Sequence, residues 1–162
     1  MPNPKIAVIM GSQSDLETMN EAVNLLKEFR ADYEVRVMSA HRTPKEVAKF
    51  SEGARKNGIK VIIAGAGGAA ALAGVIAAHT TLPVIGVPIE TSGLKGLDSL
   101  LSTVQMPGGV PVASMAIGKA GAKNAAIFAL EILGAQDKDV EKKLSDYKKK
   151  MAQKVKEIKL NV

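Results

Sequence analysis

The sequence predicts an α/β protein built on one doubly wound parallel sheet. Five short apolar segments alternate along the chain with longer segments whose apolar residues recur every three or four positions. Strands that alternate with helices are typical of parallel sheets with right-handed crossovers. A length of 162 residues suits one domain. We therefore expect a single domain over residues 1–162, with a core over 5–133 and a C-terminal helix over 137–159.

Composition narrows the class of protein. The chain is 46% hydrophobic and has no cysteine, so disulfides and cysteine-ligated metals are excluded. No apolar run reaches the ~18 residues of a membrane span, and no export leader is recognised. Aromatic residues make up only 3%, which argues against stacking platforms for single-stranded nucleic acid. We expect a cytoplasmic protein without a membrane or nucleic-acid partner and without a metal.

The net charge of +6 comes mostly from the end of the chain. Between residues 137 and 159, nine lysines stand against five acidic residues. Apolar residues recur there at steps of three and four: Val140, Leu144, Tyr147, Met151, Val155 and Ile158. This pattern favours a docked amphipathic helix with a basic solvated face over a nucleic-acid arm. An anionic small-molecule substrate suits the positive charge equally well.

The first strand, over residues 5–10, is continuously apolar and leads into a loop over 11–15 and a helix over 16–29. Ser14 and Glu17 have the spacing of a capping box. The hydroxyls and main-chain N–H groups of this loop suit a phosphate, and Asp15 suits ribose hydroxyls. Simple capping of the helix is the other interpretation. The loop has neither the Gly-x-Gly-x-x-Gly spacing of a dinucleotide site nor a Walker lysine.

The second strand, over residues 33–38, leads into a loop that carries one of the two histidines. A helix over 44–57 follows, for which Thr43 is the expected cap, Pro44 the first residue and Glu46 the partner in a capping box. In α/β proteins, loops between strand and helix hold ligands. His41 can exchange a proton near neutral pH, and Arg42 offers a fork of donors to phosphate or carboxylate.

The third strand, over residues 60–64, ends in a glycine-rich loop over 65–68. A helix over 69–78 follows, made almost wholly of small apolar residues. A helix without a polar face is buried on every side, and in so small a domain this predicts a homo-oligomer. The glycines permit close approach either of a ligand or of the packed helix, and both interpretations stay open. His79 closes this helix, where a structural role is favoured.

The remaining chain completes the alternation. We expect a strand over 84–88, a polar loop over 91–96, a short helix over 97–104 and an irregular segment over 105–111. A strand over 112–117, a turn over 118–121 and an apolar helix over 123–133 follow. The usual order for such a sheet is 2-1-3-4-5, a three-layer flavodoxin-like architecture. That order brings the loops after the first three strands together at one edge.

With these residues assembled, the chain resembles the family of 5-(carboxyamino)imidazole ribonucleotide mutases (PurE family), the catalytic-subunit type of phosphoribosylaminoimidazole carboxylase. The matching stretches are residues 11–15, 39–44, 64–70, 96–102 and 104–107. The resemblance implies a cofactor-free, homo-octameric enzyme of purine biosynthesis. Its substrate would be an imidazole ribonucleotide whose carboxylate moves from the exocyclic nitrogen to ring carbon 4.

The resemblance also implies roles for single residues. His41 matches the family's general acid/base, and Ser12, Asp15 and Arg42 match its nucleotide-binding positions. Further substrate contacts are expected from five residues: Ser14, Ser39, Gly67, Gly68 and Leu72.

One departure from the family pattern bears on the reaction. The mutase branch typically has His and Pro where this chain has Ala71 and Ala73. A second branch carboxylates aminoimidazole ribonucleotide directly with CO2 and also has a small residue at the first position. That branch usually departs at the Arg-Thr-Pro and Gln-Met-Pro motifs, which this chain keeps. Direct carboxylation is therefore the alternative function, and a non-catalytic flavodoxin-like binding module is a remote one.

Overall fold

A computed structural model of the protein describes residues 5–160. It contains a five-stranded parallel sheet in the order β2-β1-β3-β4-β5, as predicted. The strands are β1 (Ile6–Met10), β2 (Tyr33–Val37), β3 (Val61–Ala66), β4 (Val84–Pro88) and β5 (Ala113–Ser114). The helices are α1 (Leu16–Glu28), α2 (Pro44–Ala54), α3 (Leu72–Ala78), α4 (Leu97–Val104), α5 (Lys119–Gly134) and α6 (Lys138–Lys156).

Helices cover both faces of the sheet. On one face, alternate residues of β1 such as Val8 pack with α1 and α5 in one apolar cluster. On the other face, the residues between them, such as Ile9, pack with α2 and α3. Because both faces are covered, all five residues of β1 are buried, which explains the continuous apolar sequence of this strand. The three-layer flavodoxin-like architecture is thus confirmed.

Two predicted boundaries near the end of the sheet were wrong. The predicted strand over 112–117 shrinks to Ala113–Ser114, and the predicted turn over 118–121 is largely the first turn of α5. Gly118, with φ +76°, provides the conformation that leads into the helix. A Cβ on Gly121 would collide with the main chain of Ala116, so this glycine serves close packing rather than a turn.

The predicted small-residue helix over 69–78 is shorter than expected and is not buried all round. It begins at Leu72, and Ala78 is exposed in the single chain. Three further residues on the helix are only partly buried: Gly74, Val75 and Ala77. This uncovered face leaves the predicted homo-oligomer as a proposal.

The C-terminal helix docks through its first half. Asp137 caps it by accepting hydrogen bonds from the N–H groups of Asp139 and Val140. Leu144 is buried, and the ring of Tyr147 lies 5.4 Å from that of Phe29. Three residues of the predicted apolar face stay exposed beyond this point: Met151, Val155 and Ile158. The expected docking therefore holds only for about half of α6, which ends at Lys156 rather than 159.

No helix within residues 5–160 has the length and the apolar composition needed to cross a membrane.

Candidate active site

A cavity of about 330 Å³ opens at the edge of the sheet where the strands end. Its volume is that of a site for a small molecule. It is lined by the loops after β1, β2, β3 and β4, so the predicted convergence of the first three loops is confirmed. Eight residues from the first two loops line it: Gly11, Ser12, Ser14, Asp15, Ser39, Ala40, His41 and Arg42. Eight from the other two line it as well: Ala66, Gly67, Ala70, Ala71, Leu72, Ile89, Glu90 and Thr91.

The loop after β1 is fixed by a capping box. The hydroxyl of Ser12 accepts a hydrogen bond from the N–H of Ser14 at 3.4 Å, and the carboxylate of Asp15 accepts one from the N–H of Ser12 at 3.0 Å. The predicted box between Ser14 and Glu17 was wrong. A short 3-10 turn (Gln13–Asp15) precedes α1, and this turn moves the cap two residues towards the N-terminus.

The carboxylate of Asp15 lines the cavity and already accepts a hydrogen bond from the N–H of Ser12. It is 8% exposed, and its burial raises the pKa of the carboxyl above its ordinary value. Hydrogen bonds from the main chain at Ser12 and Gly11, the charge of Arg42 and the hydroxyl of Ser14 act in the opposite direction. An acceptor of this kind suits hydroxyl groups of a ligand.

The loop after β2 is closed by its own hydroxyls. The hydroxyl of Thr43 accepts from the N–H of Ser39 at 3.0 Å and donates to the carbonyl of Ser39 at 3.1 Å. Thr43 precedes α2 but makes no side-chain cap bond, so the predicted capping box with Glu46 was wrong. The hydroxyl closes the loop instead. Pro44 is the first residue of α2, as predicted.

Two chemically active side chains emerge from this closed loop. His41 is exposed and lines the cavity. Arg42 donates from Nη2 to the carbonyl of Gly11 at 3.1 Å and from Nε to the hydroxyl of Ser39 at 3.4 Å. The loop thus presents an imidazole and a positioned guanidinium to the same space.

β3 ends at Ala66 rather than at the predicted residue 64, so the glycine loop begins at Gly67. This loop forms the wall that continues from the first two loops. Gly67 and Leu72 line the cavity, and Ala71 lines it as well. Gly68 is not among the lining residues. Its N–H donates to the hydroxyl of Ser99 at 3.0 Å, so this N–H is not free to donate to a ligand.

Sequence reasoning missed the contribution of the loop after β4. Ile89, Glu90 and Thr91 line the cavity, and the Thr91 hydroxyl donates to the carboxylate of Asp98 at 2.9 and 3.1 Å. The available signal was their position directly after a buried parallel strand, at the same sheet edge as the other three loops.

The second histidine stands apart from the cavity. His79 is the C-cap of α3, and its Nδ1 lies 3.2 Å from a carboxylate oxygen of Glu52 on α2. His41 is therefore the one imidazole that lines the cavity. Among residues 5–160, no group of three His, Cys, Asp or Glu side chains is arranged to hold a metal ion.

The fold and the cavity define a doubly wound α/β protein with a polar cavity at the carboxyl edge of its sheet. The chain belongs to the AIR carboxylase family, whose model matches residues 5–154.

Relatives agree with this assignment. The N5-carboxyaminoimidazole ribonucleotide mutase of Bacillus subtilis is 57% identical over 152 residues, which cover 94% of each protein. The mutase of Saccharolobus solfataricus is 59% identical over 148 residues, covering 91% of this chain and 92% of that protein. Among solved structures, PurE of Treponema denticola is similar with a TM-score of 0.86 and 28% identity, covering 95% of each chain.

Proposed function

We propose that the protein is an N5-carboxyaminoimidazole ribonucleotide mutase, an isomerase of purine biosynthesis that acts in the cytoplasm. It converts 5-(carboxyamino)imidazole ribonucleotide to 4-carboxy-5-aminoimidazole ribonucleotide. The observation that carries the proposal is that His41, Arg42, Ser12 and Asp15 all line one cavity. The names of relatives that are 51–59% identical support it further.

The reaction needs one proton carrier. The bond between the exocyclic nitrogen and the carboxylate carbon breaks, CO2 is released, and the nitrogen takes up a proton. Ring carbon 4 then attacks the CO2, a carbon–carbon bond forms, and carbon 4 gives up its proton. One proton is supplied and one is recovered, so His41 alone can serve as acid and then as base. The proposed reaction also requires that water be excluded from the cavity when the substrate is bound, so that the CO2 is held for the second step.

The other side chains bind and orient the nucleotide. Arg42 and the hydroxyls of Ser12, Ser14 and Ser39 suit the 5′-phosphate. The carboxylate of Asp15 suits the ribose hydroxyls. In this proposal Gly67 and Leu72 contact the base. Gly68 shapes the wall through its backbone, and its N–H donates to Ser99 instead of to the ligand.

Direct carboxylation of aminoimidazole ribonucleotide is a second candidate function. Ala71 favours it, because this residue lines the cavity where the mutase pattern has a second imidazole.

One parallel assay separates the two functions. One reaction receives 5-(carboxyamino)imidazole ribonucleotide, the other aminoimidazole ribonucleotide with high bicarbonate, and both are followed to the carbon-carboxylated product. The mutase proposal predicts fast conversion in the first reaction alone. Efficient conversion in the second reaction would establish a direct carboxylase. Silence in both would contradict the mutase proposal and would point to Ala71 as a disabling difference.

A homo-octamer is part of the proposal. The exposed face of α4 supports it, because Leu97, Leu101 and Val104 lie at helical spacing on one face and are 48–50% exposed. Native mass spectrometry should give eight copies, and Leu101→Glu should reduce that number. A monomeric wild-type protein would contradict this part of the proposal.

A further inference from the structure

Ser99 lies behind the cavity, in the first turn of α4. It is fully buried and does not line the cavity. Its hydroxyl donates to the carbonyl of Ile89 at 2.7 Å and accepts from the N–H of Gly68 at 3.0 Å. One hydroxyl group therefore joins the loop after β3 to the loop after β4, and both loops form walls of the cavity.

The glycine loop needs such a tie because its backbone is in an unfavourable conformation. Gly68 has φ +65°, and Ala70, which is not a glycine, has φ +29°. Conformations of this kind cost on the order of 1–3 kcal/mol each for residues other than glycine and persist only where the surroundings hold them. Gly68 has no side chain, and even a Cβ built on it would meet no atom within 4 Å. Packing at this residue therefore does not hold the loop. The loop is held by a main-chain hydrogen bond from Ala70 to Gly67, by the burial of Ala70, and by the hydrogen bond from Gly68 to Ser99, which is the one that connects it to α4.

Asp98, next to Ser99 in α4, makes a second contact between this helix and a residue that lines the cavity. Asp98 accepts the hydroxyl of Thr91 with both carboxylate oxygens. The methyl carbon of Thr91 would lie 3.4 Å from a Cβ on Gly67, which places the two loops in close contact. The first turn of α4 thus contacts the glycine loop in two ways. Ser99 bonds to it directly, and Asp98 reaches it through Thr91.

We propose that Ser99 is a positioning residue for the reaction. Through Gly68 and Ile89 it holds the glycine loop at a fixed place in the cavity that His41 also lines, without touching the ligand itself. This inference rests on the proposed function, because it assigns to Ser99 the geometry of that reaction. A displacement of about 1 Å in such a wall can lower a rate about 100-fold.

The test compares Ser99→Ala with Ser51→Ala. Ser51 is also a buried serine, but its hydroxyl donates to Val47 within its own helix, at 2.7 Å, and it does not line the cavity. Both variants are assayed well below their unfolding temperatures. We expect Ser99→Ala to lose about 10- to 100-fold in kcat with a smaller change in KM, and Ser51→Ala to keep kcat within about twofold of the wild type.

A second measurement does not depend on turnover. Amide hydrogen exchange should become at least tenfold faster at Gly68 in Ser99→Ala and stay unchanged there in Ser51→Ala. If Ser99→Ala does not fold, Ser99→Cys replaces it in both measurements, because a thiol, although larger than a hydroxyl, still fills the site and weakens both hydrogen bonds.

The outcomes separate the inference from the proposed function. A wild-type protein without turnover contradicts the function, whereas the exchange experiment still tests the tie. Equal kcat in Ser99→Ala and Ser51→Ala, with an active wild type, overturns the positioning role. Unchanged exchange at Gly68 overturns it as well.

Discussion

The guanidinium of Arg42 donates to the carbonyl oxygen of Gly11 across 3.1 Å and thereby joins the loop after β2 to the loop after β1. This contact spans 31 positions of sequence. It holds a permanent positive charge beside the buried carboxylate of Asp15, whose pKa it helps to lower against the effect of burial. The two loops consequently form one binding surface rather than two.

Arg42→Ala should weaken binding of aminoimidazole ribonucleotide about 10- to 100-fold in Kd. The reason is the loss of charge-assisted hydrogen bonds to the phosphate, worth about 1.5–3 kcal/mol. Titration calorimetry measures the change. The control is Arg55→Ala, because Arg55 bonds to Thr81 and does not line the cavity. Equal affinity in wild type and Arg42→Ala would remove the phosphate role.

His41→Asn should reduce turnover by about 10²- to 10⁴-fold, because no other imidazole lines the cavity to carry the proton. Binding of the nucleotide should change little. His79→Asn is the matched control and should turn over normally, since His79 contacts Glu52 outside the cavity. A His41→Asn enzyme with normal kcat would disprove the acid/base assignment.

Asp15→Asn should make stability less dependent on pH. Burial raises the folded-state pKa of this carboxyl above its ordinary value, so the wild type loses stability as pH rises from about 3.8 through the folded pKa. The variant has no group to ionise there. Its stability relative to wild type should therefore rise between pH 4 and pH 7, as measured by urea unfolding. A difference that stays constant over this range would contradict the raised pKa.

Gly65→Ala should lower the free energy of unfolding by about 1–3 kcal/mol. A Cβ there would collide with the side chain of Met19, which is fully buried in a packed cluster. Gly53→Ala should instead raise it by about 0.5–1 kcal/mol, because Gly53 lies inside α2 and its new Cβ would meet only Asn57 at 3.7 Å. Chemical denaturation of both variants checks the opposite signs. A stabilised Gly65→Ala would mean that Met19 repacks freely.

Much of the fold followed from the alternation of apolar segments. A parallel sheet brings the ends of its strands to one edge, so the meeting of the loops that carry Ser12, His41 and Gly67 could be predicted without any contact being known. The predicted helix over 97–104 and strand over 84–88 agree with the structure at both ends. Three of these four boundaries were clear because Pro83, Pro88 or Gly96 stands at or next to them.

The capping of the loop after β1 could not be predicted, because the sequence permits two different capping boxes there. Ser12 with Asp15 and Ser14 with Glu17 both have the spacing of a capping box, and only the 3-10 turn before α1 selects the first pair. Ser99 was equally hidden. A serine in a short helix usually faces water, and its burial between two loops depends on tertiary contacts that periodicity does not report.

The packing of α1 against α5 has a consequence for synthesis of the chain. The apolar face of α1 is buried largely by residues of α5, which begins at Lys119. A ribosome adds residues from the N-terminus at about 5–20 per second, so this face stays uncovered for several seconds while the intervening chain is made. During that interval the nascent chain exposes residues such as Met19 and Leu26, which form an apolar surface of the kind that chaperones capture.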